Sequence, residues 1–107
     1  MQAAQRASGA VNELGLLAKL AARDALRWTP AGIPILSAIV THESVQMEAG
    51  IPREVGLELS IRAAGVLAEQ LSRIDLGAIL FVEGFLAPRS RNARSLILHL
   101  TRFRLET

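Results

Sequence analysis

ELGLLAKLAARDALRW, residues 13–28, admits two readings, and the choice between them decides the fold. Leu, Ala, Lys and Arg are strong helix formers, and Leu14, Leu17, Ala18, Ala21 and Ala25 recur at helical spacing. Against a helix, Asn12 alone offers a capping side chain, and the segment runs straight into a turn. The flanking sequence has to arbitrate.

The turn is TPAGIP (29–34), where Pro30 presets φ for the second position and Gly32 supplies a positive φ near the end. IPILSAIVTHES (33–44) then alternates apolar and small residues with β-branched content and reads as a strand. VQMEAGIPRE (45–54), with Gly50 and Pro52, reads as a polar connection. Val55, Leu57, Leu59 and Ile61 alternate with Gly56, Glu58 and Ser60, the period of a half-buried strand. RAAGVLAEQLSRIDLG (62–77) changes period: Leu67, Leu71 and Ile74 fall on one helical face, which Ala64 and Ala68 extend, with Gly77 as a stop. AILFVEGFLA (78–87) reads as a buried strand in which Gly84 marks a bulge or a close backbone approach. PRSRNAR (88–94) is a loop, and SLILHLTRFRLE (95–106) alternates as a last strand.

If residues 13–28 form a strand, the order is β-β-β-α-β-β. That is all-β: a five-stranded OB-fold barrel with one short helix between strands 3 and 4. Four strands without the fifth would leave long apolar edges open, a hazard that closure removes. Topology therefore overrides propensity, and 13–28 is assigned as a strand. Residues 1–11 read as a loosely ordered lead-in and 12–107 as the barrel domain.

A chain of 107 residues, half of it hydrophobic, supports one core and argues against disorder. It has no cysteine, so disulfides, thiolate zinc sites and a cysteine nucleophile are excluded together. No apolar run reaches the roughly 18 residues of a membrane span, and the N-terminus has no signal-peptide pattern, which reads as a cytoplasmic protein without a membrane partner. An amphipathic helix lying on a membrane at 13–27 is disfavoured because Arg23, Asp24 and Arg27 form no long basic face. The net charge of +2 hides a segregation: five arginines and no acid lie between Gly84 and Leu105, while the remaining seven basic residues face all ten acids. Clustered arginine is an electrostatic footprint of nucleic-acid binding.

At NELGLLAKL (12–20), RWTPAGIPIL (27–36), THESVQMEAG (41–50) and LFVEGFLAPRSR (80–91), the chain resembles the bacterial primosomal replication protein N family. These are single-domain relatives of the single-stranded-DNA-binding proteins. The similarity spans residues 12–106 in order, and the T-P-A-G-I-P turn, H-x-S-V-Q with the following E-A-G, and V-x-G-F together make it fairly specific. The resemblance implies an OB fold and a homodimer. It also implies a role in DNA replication restart, bridging single-stranded DNA to the primosomal helicase and other primosome proteins at stalled forks. Two departures stand out. Some relatives carry an aromatic residue for base stacking where Arg53 to Leu57 has none, and the loop at 88–94 is shorter than in some relatives, with Arg where they use Lys.

The candidate DNA-binding residues are Lys19, Arg27, Trp28, Arg89, Arg91, Arg94, Arg102, Phe103 and Arg104. Arg89, Arg91 and Arg94 occupy the loop between the last two strands, one of the two that usually grip an oligonucleotide in this fold. A solvated, charge-solubilised turn is the competing explanation. Arg27 and Trp28 adjoin the other gripping loop. Trp28 can stack a base, worth about 1–3 kcal/mol, but the scarcity of aromatics (4%) favours packing at the barrel mouth or between copies. Lys19 can meet a phosphate; a solvent-facing lysine guarding an edge is slightly favoured. Phe81, in a continuous apolar run, reads as core; Phe85, after Gly84, can face the other way; Phe103, between Arg102 and Arg104, has the local chemistry of a stacking residue. Core packing competes for all three.

Enzymatic readings find little support. His42, Glu43 and Ser44 are consecutive on a strand, so they cannot converge as a triad. Two isolated histidines without cysteine make a poor metal set, and no phosphate-binding glycine loop is present, so no cofactor or metal is expected. Two functions remain in view. One is a single-strand binder; the other is a protein-interaction adaptor, homodimer plus helicase contact, with only weak DNA binding.

Overall fold

The computed structural model describes residues 9–106. Its elements are β1 (Leu14–Arg23), β2 (Arg27–Trp28), β3 (Pro34–Glu48), β4 (Ile51–Ala64), α1 (Val66–Leu71), β5 (Ile79–Pro88) and β6 (Leu96–Leu105). The sheet runs β1-β5-β6-β4-β3, and β1 also pairs with β3, so five strands close into a barrel. The two-residue β2 adds only Arg27↔Ile35 and Trp28↔Pro34 to the side of β3. The OB-fold expectation holds, with the helix between the third and fourth barrel strands.

The ambiguous segment is a strand because its period-two face is the one that gets buried. Leu14, Leu16, Ala18 and Leu20 point inward, with Ala18 and Leu20 fully in the core, while Gly15, Leu17 and Lys19 point out. Burying one leucine contributes about 1.5–3 kcal/mol, more than the few tenths per residue by which helix propensity separates ordinary side chains. Pairing with β5 along Leu14–Lys19 and with β3 along Lys19–Arg23 satisfies the backbone on both sides in turn. The strand stops at Arg23, short of the predicted 28, and Arg27–Trp28 form the separate β2.

Two boundaries are corrected. Residues 45–54 are not a loop: β3 and β4 continue as a hairpin whose pairing runs out to Glu48↔Ile51. Its two turn residues, Ala49 (φ 54) and Gly50 (φ 77), both have positive φ, the requirement of the turn that matches strand twist. The helix is shorter than predicted, because Arg62, Ala63 and Ala64 extend β4 and pair with Ser37, Leu36 and Ile35. Ala68 and Leu71 of α1 close one end of the core, and the Arg23 guanidinium donates to the carbonyls of Leu71 and Ile74 just beyond the helix.

Gly84 sits at a β-bulge between β5 and β6, and a Cβ there would lie 1.9 Å from the His99 carbonyl oxygen. Only glycine fits. The seam that completes the barrel is parallel and short: β4 meets β6 through Ile61↔Leu98 and Arg62↔His99 alone, whereas β3 and β4 pair along their whole shared length.

Of the expected lead-in, residues 1–8 lie outside the described part. Asn12 ties the start of the barrel down, its side chain donating to the Leu86 carbonyl (2.8 Å) and accepting from the Leu86 N–H (2.9 Å). Among the described residues no helix is long and apolar enough to cross a membrane.

Candidate nucleic-acid interface

Strand parity fixes which side chains face outward. On β3, β4, β6 and β5 the interior takes Leu36, Ala38, Ile61, Ala63, Leu98 and Val82. The register then lays two rows across the outer surface of these four strands. One row is Ile39, Ser60, Ile97 and Ala87; the next is Ser37, Arg62, His99 and Phe85.

A groove follows the first row. Ala22 to Asp24 wall it on one side, Ser37, Ile39, Ser60 and Ile97 floor it, and Arg89 folds in from the β5–β6 loop. The Arg89 guanidinium donates to Ser60 Oγ at 2.8 Å, and its backbone N–H donates to the Ser95 carbonyl at 3.0 Å, so the loop is pinned at its base. Arg91 and Arg94 are exposed and make no side-chain hydrogen bond or ion pair among the described residues. Their charges are free to meet an anion.

The other predicted residues separate into different situations. Arg27 and Trp28 are exposed beside the turn, with Trp28 at 60%. That turn is held by Gly32 N–H donating to the Thr29 carbonyl (2.8 Å) and Ile33 N–H to Thr29 Oγ1 (3.1 Å). Lys19 is exposed on β1, opposite Thr41 and Ile79. Arg102 forms a two-point ion pair with Glu83 across β5 and β6. That hydrogen bond, opposed by some desolvation, holds the Glu83 carboxyl below its ordinary value and raises Arg102. Arg104 lies 4.7 Å from the centre of the Phe81 ring and pairs with Glu106 at 2.8 Å. Phe103 is half-buried against the core cluster. The nine residues therefore do not form one site: the loop arginines adjoin the groove, while Arg102 is engaged by Glu83 and Arg104 by Phe81 and Glu106.

Phe81 corrects the reading of its apolar run. Leu80 and Val82 take the interior, so Phe81 faces outward, its ring lying over Gly15, where a Cβ would come within 2.9 Å of it. Sequence reasoning also left out Arg62, Phe85 and His99 as a group. Phe85 stacks on His99, rings 5.0 Å apart and 5° from parallel, and is 42% exposed. His99 is held below the ordinary histidine value, first by burial and then by the Arg62 charge. Their positions are 62, 85 and 99, and only the barrel register brings them side by side.

The H-x-S-V-Q stretch has a structural role. His42 Nδ1 lies 2.7 Å from the Leu17 carbonyl, which can only accept, so Nδ1 carries the proton. His42 Nε2 then accepts from the Ser44 hydroxyl (2.7 Å), whose oxygen accepts from Gln46 Nε2 (3.0 Å). Glu43 points to the opposite face. Among the described residues no group of three or more His, Cys, Asp or Glu is arranged to hold a metal ion.

Comparison with known proteins gives this geometry a context. A profile described as "another single-strand binding protein family" matches residues 12–102. The replication restart protein PriB of Bordetella pertussis (strain Tohama I) is 43% identical over 94 residues, covering 88% of each chain. That of Nitrosomonas europaea is 38% identical over 74 residues, covering 69% of this chain and 68% of the relative. The structure of PriB from Ralstonia solanacearum superposes with a TM-score of 0.83 at 35% identity, over 92% of this chain and all of that one. The single-stranded DNA binding protein of Thermus aquaticus superposes with a TM-score of 0.72 at 25% identity, over 91% of this chain and 50% of that one.

Proposed function

Since the chain belongs to the single-strand binding protein family, among its replication restart PriB members, we propose that it binds single-stranded DNA through the β5–β6 arginine loop and the groove beside it. The family is one of binding proteins, not of enzymes. The observation that carries the reading is Arg89: one arginine of an acid-free segment folds into a groove floored by small and apolar side chains, while Arg91 and Arg94 stay open beside it. Such a surface tracks phosphates and reads little sequence. In this role the protein works as a homodimer that hands a single strand to the primosomal helicase at a stalled fork.

Fluorescence anisotropy with a labelled oligonucleotide, at two salt concentrations and with and without helicase, tests it. Contact with about three phosphates gives a log–log salt slope near −2 on single strands. Equal affinity for duplex and single strand, or a flat salt response, removes the reading.

A second reading, an adaptor with weak DNA contact, is favoured by the hairpin. Val45 (63%), Met47 (66%) and Ile51 (65%) are exposed there, among Glu43, Glu48, Glu54 and Glu58. Exposed apolar side chains among carboxylates suit a protein surface better than a phosphate backbone. Under this reading, Val45→Ser with Met47→Ser abolishes helicase stimulation while oligonucleotide affinity stays unchanged; full stimulation by that variant argues against it.

A further inference from the structure

We propose that Phe85, backed by His99 and flanked by Arg62, is a nucleobase-stacking site that seats one unpaired base of the bound strand. The inference rests on the single-strand reading above and adds to it the recognition of bases, which the arginine loop alone does not provide.

A stacking site needs a flat π surface that is both rigid and reachable. Phe85 is rigid because its ring lies parallel to His99 at 5.0 Å, and reachable because 42% of the residue remains exposed. The imidazole behind it stays neutral at physiological pH, since burial and the Arg62 charge disfavour protonation. The two rings therefore form an uncharged ledge rather than a cationic spot. On one side of the ring a cleft opens, lined by Asn12, Glu13, Gly15, Glu83, Thr101 and Arg102, in which the Glu83 carboxylate is held by Arg102.

Arg62 supplies the second element. It stands beside His99 in the same outward row, and its Nε is buried without a hydrogen-bond partner among the described residues. A planar guanidinium is suited both to phosphate oxygens and to stacking on a base. One row further along the same strands, Arg89 reaches Ser60. The strand's path would thus run from the arginine loop over Ser60 and Arg62 to the Phe85 ring. None of the eight positions in these two rows is acidic. That charge suits an anionic partner, and the aromatic pair favours one that presents an unpaired base over an acidic protein or a duplex backbone.

The test compares a labelled oligothymidine with an abasic strand of the same length, both titrated with the full-length protein by anisotropy. Wild type binds the base-bearing strand more tightly. Phe85→Leu, which keeps apolar volume and removes the ring, weakens oligothymidine binding about five- to tenfold and leaves the abasic strand unaffected. Phe85→Trp restores or exceeds wild-type preference. Equal loss on both strands, or no loss on either, overturns the stacking site. So does a Phe85→Leu variant that changes oligomeric state in sedimentation without changing oligothymidine affinity, which makes the face a contact between copies. Failure of the wild type to bind either strand overturns the single-strand reading itself, a distinguishable result.

Discussion

The β3–β4 hairpin and the β5–β6 loop lie at the same end of the barrel, because β4 and β6 run parallel and each connection precedes one of them. They are chemically opposite. The hairpin carries Glu43, Glu48, Glu54 and Glu58 against Arg53, which is itself paired with Glu48 at 3.3 Å. The loop carries Arg89, Arg91 and Arg94 and no acid. The hairpin is also fully hydrogen-bonded along its length, whereas the loop is pinned mainly at its base. One connection is built for shape and the other for charge, so on the proposed path an anionic strand leaving the groove would be drawn to the loop side of this end and repelled from the hairpin side.

The sharpest way to break that contrast is to make both connections acidic. Arg89→Glu, Arg91→Glu and Arg94→Glu together should lower single-strand affinity about a hundredfold at low salt and flatten the salt slope. A loss under about threefold would mean the strand is held elsewhere. The converse change is smaller. Replacing Glu43, Glu54 and Glu58 by Gln should raise affinity about threefold in low salt, with the gain disappearing as salt screens it. Gly50→Ala, which forces a side chain into positive φ, should cost about 1 kcal/mol in urea unfolding and leave DNA affinity unchanged. If affinity falls as well, the hairpin's shape takes part in binding.

The smallest effect concerns β6 just past the loop. His99 is harder to protonate in the folded chain than its ordinary value of 6.5, so the unfolded chain takes up more protons as pH falls through that value. Stability should therefore decline modestly from about pH 6.5 downward, and His99→Gln should remove that part of the pH dependence in thermal unfolding. Glu83, held low chiefly by Arg102, keeps its ion pair through the same range.

What the sequence disclosed follows from how local each cause is. The barrel was legible because the strand–helix order needs a fifth strand to close its edges; the inward period of two at Leu14, Leu16, Ala18 and Leu20 was masked by the helix formers among them. Gly84 and the arginine loop were legible because one residue type carries the reason for each. The hairpin was not. Glu, Gln and Pro look like loop composition, and the strand character of 45–54 comes from cross-strand pairing that a linear reading cannot see. Arg62 to Ala64 look helical for the same reason, being good helix formers held in β4 by β3. At the candidate site, the pairing of Arg102 with Glu83, and of Phe85 with His99, joins residues 14 or more positions apart through register alone.

The short parallel seam between β4 and β6 has a consequence for motion. With only two registered pairs, it is the clasp of the barrel and the cheapest place for the sheet to part without global unfolding. One of those two pairs is Arg62↔His99, so anything lying across both residues also fastens the clasp. Hydrogen exchange should find the amides flanking this seam less protected than those of the β3–β4 ladder. A bound single strand should slow exchange there more than anywhere else in the sheet, in proportion to its occupancy.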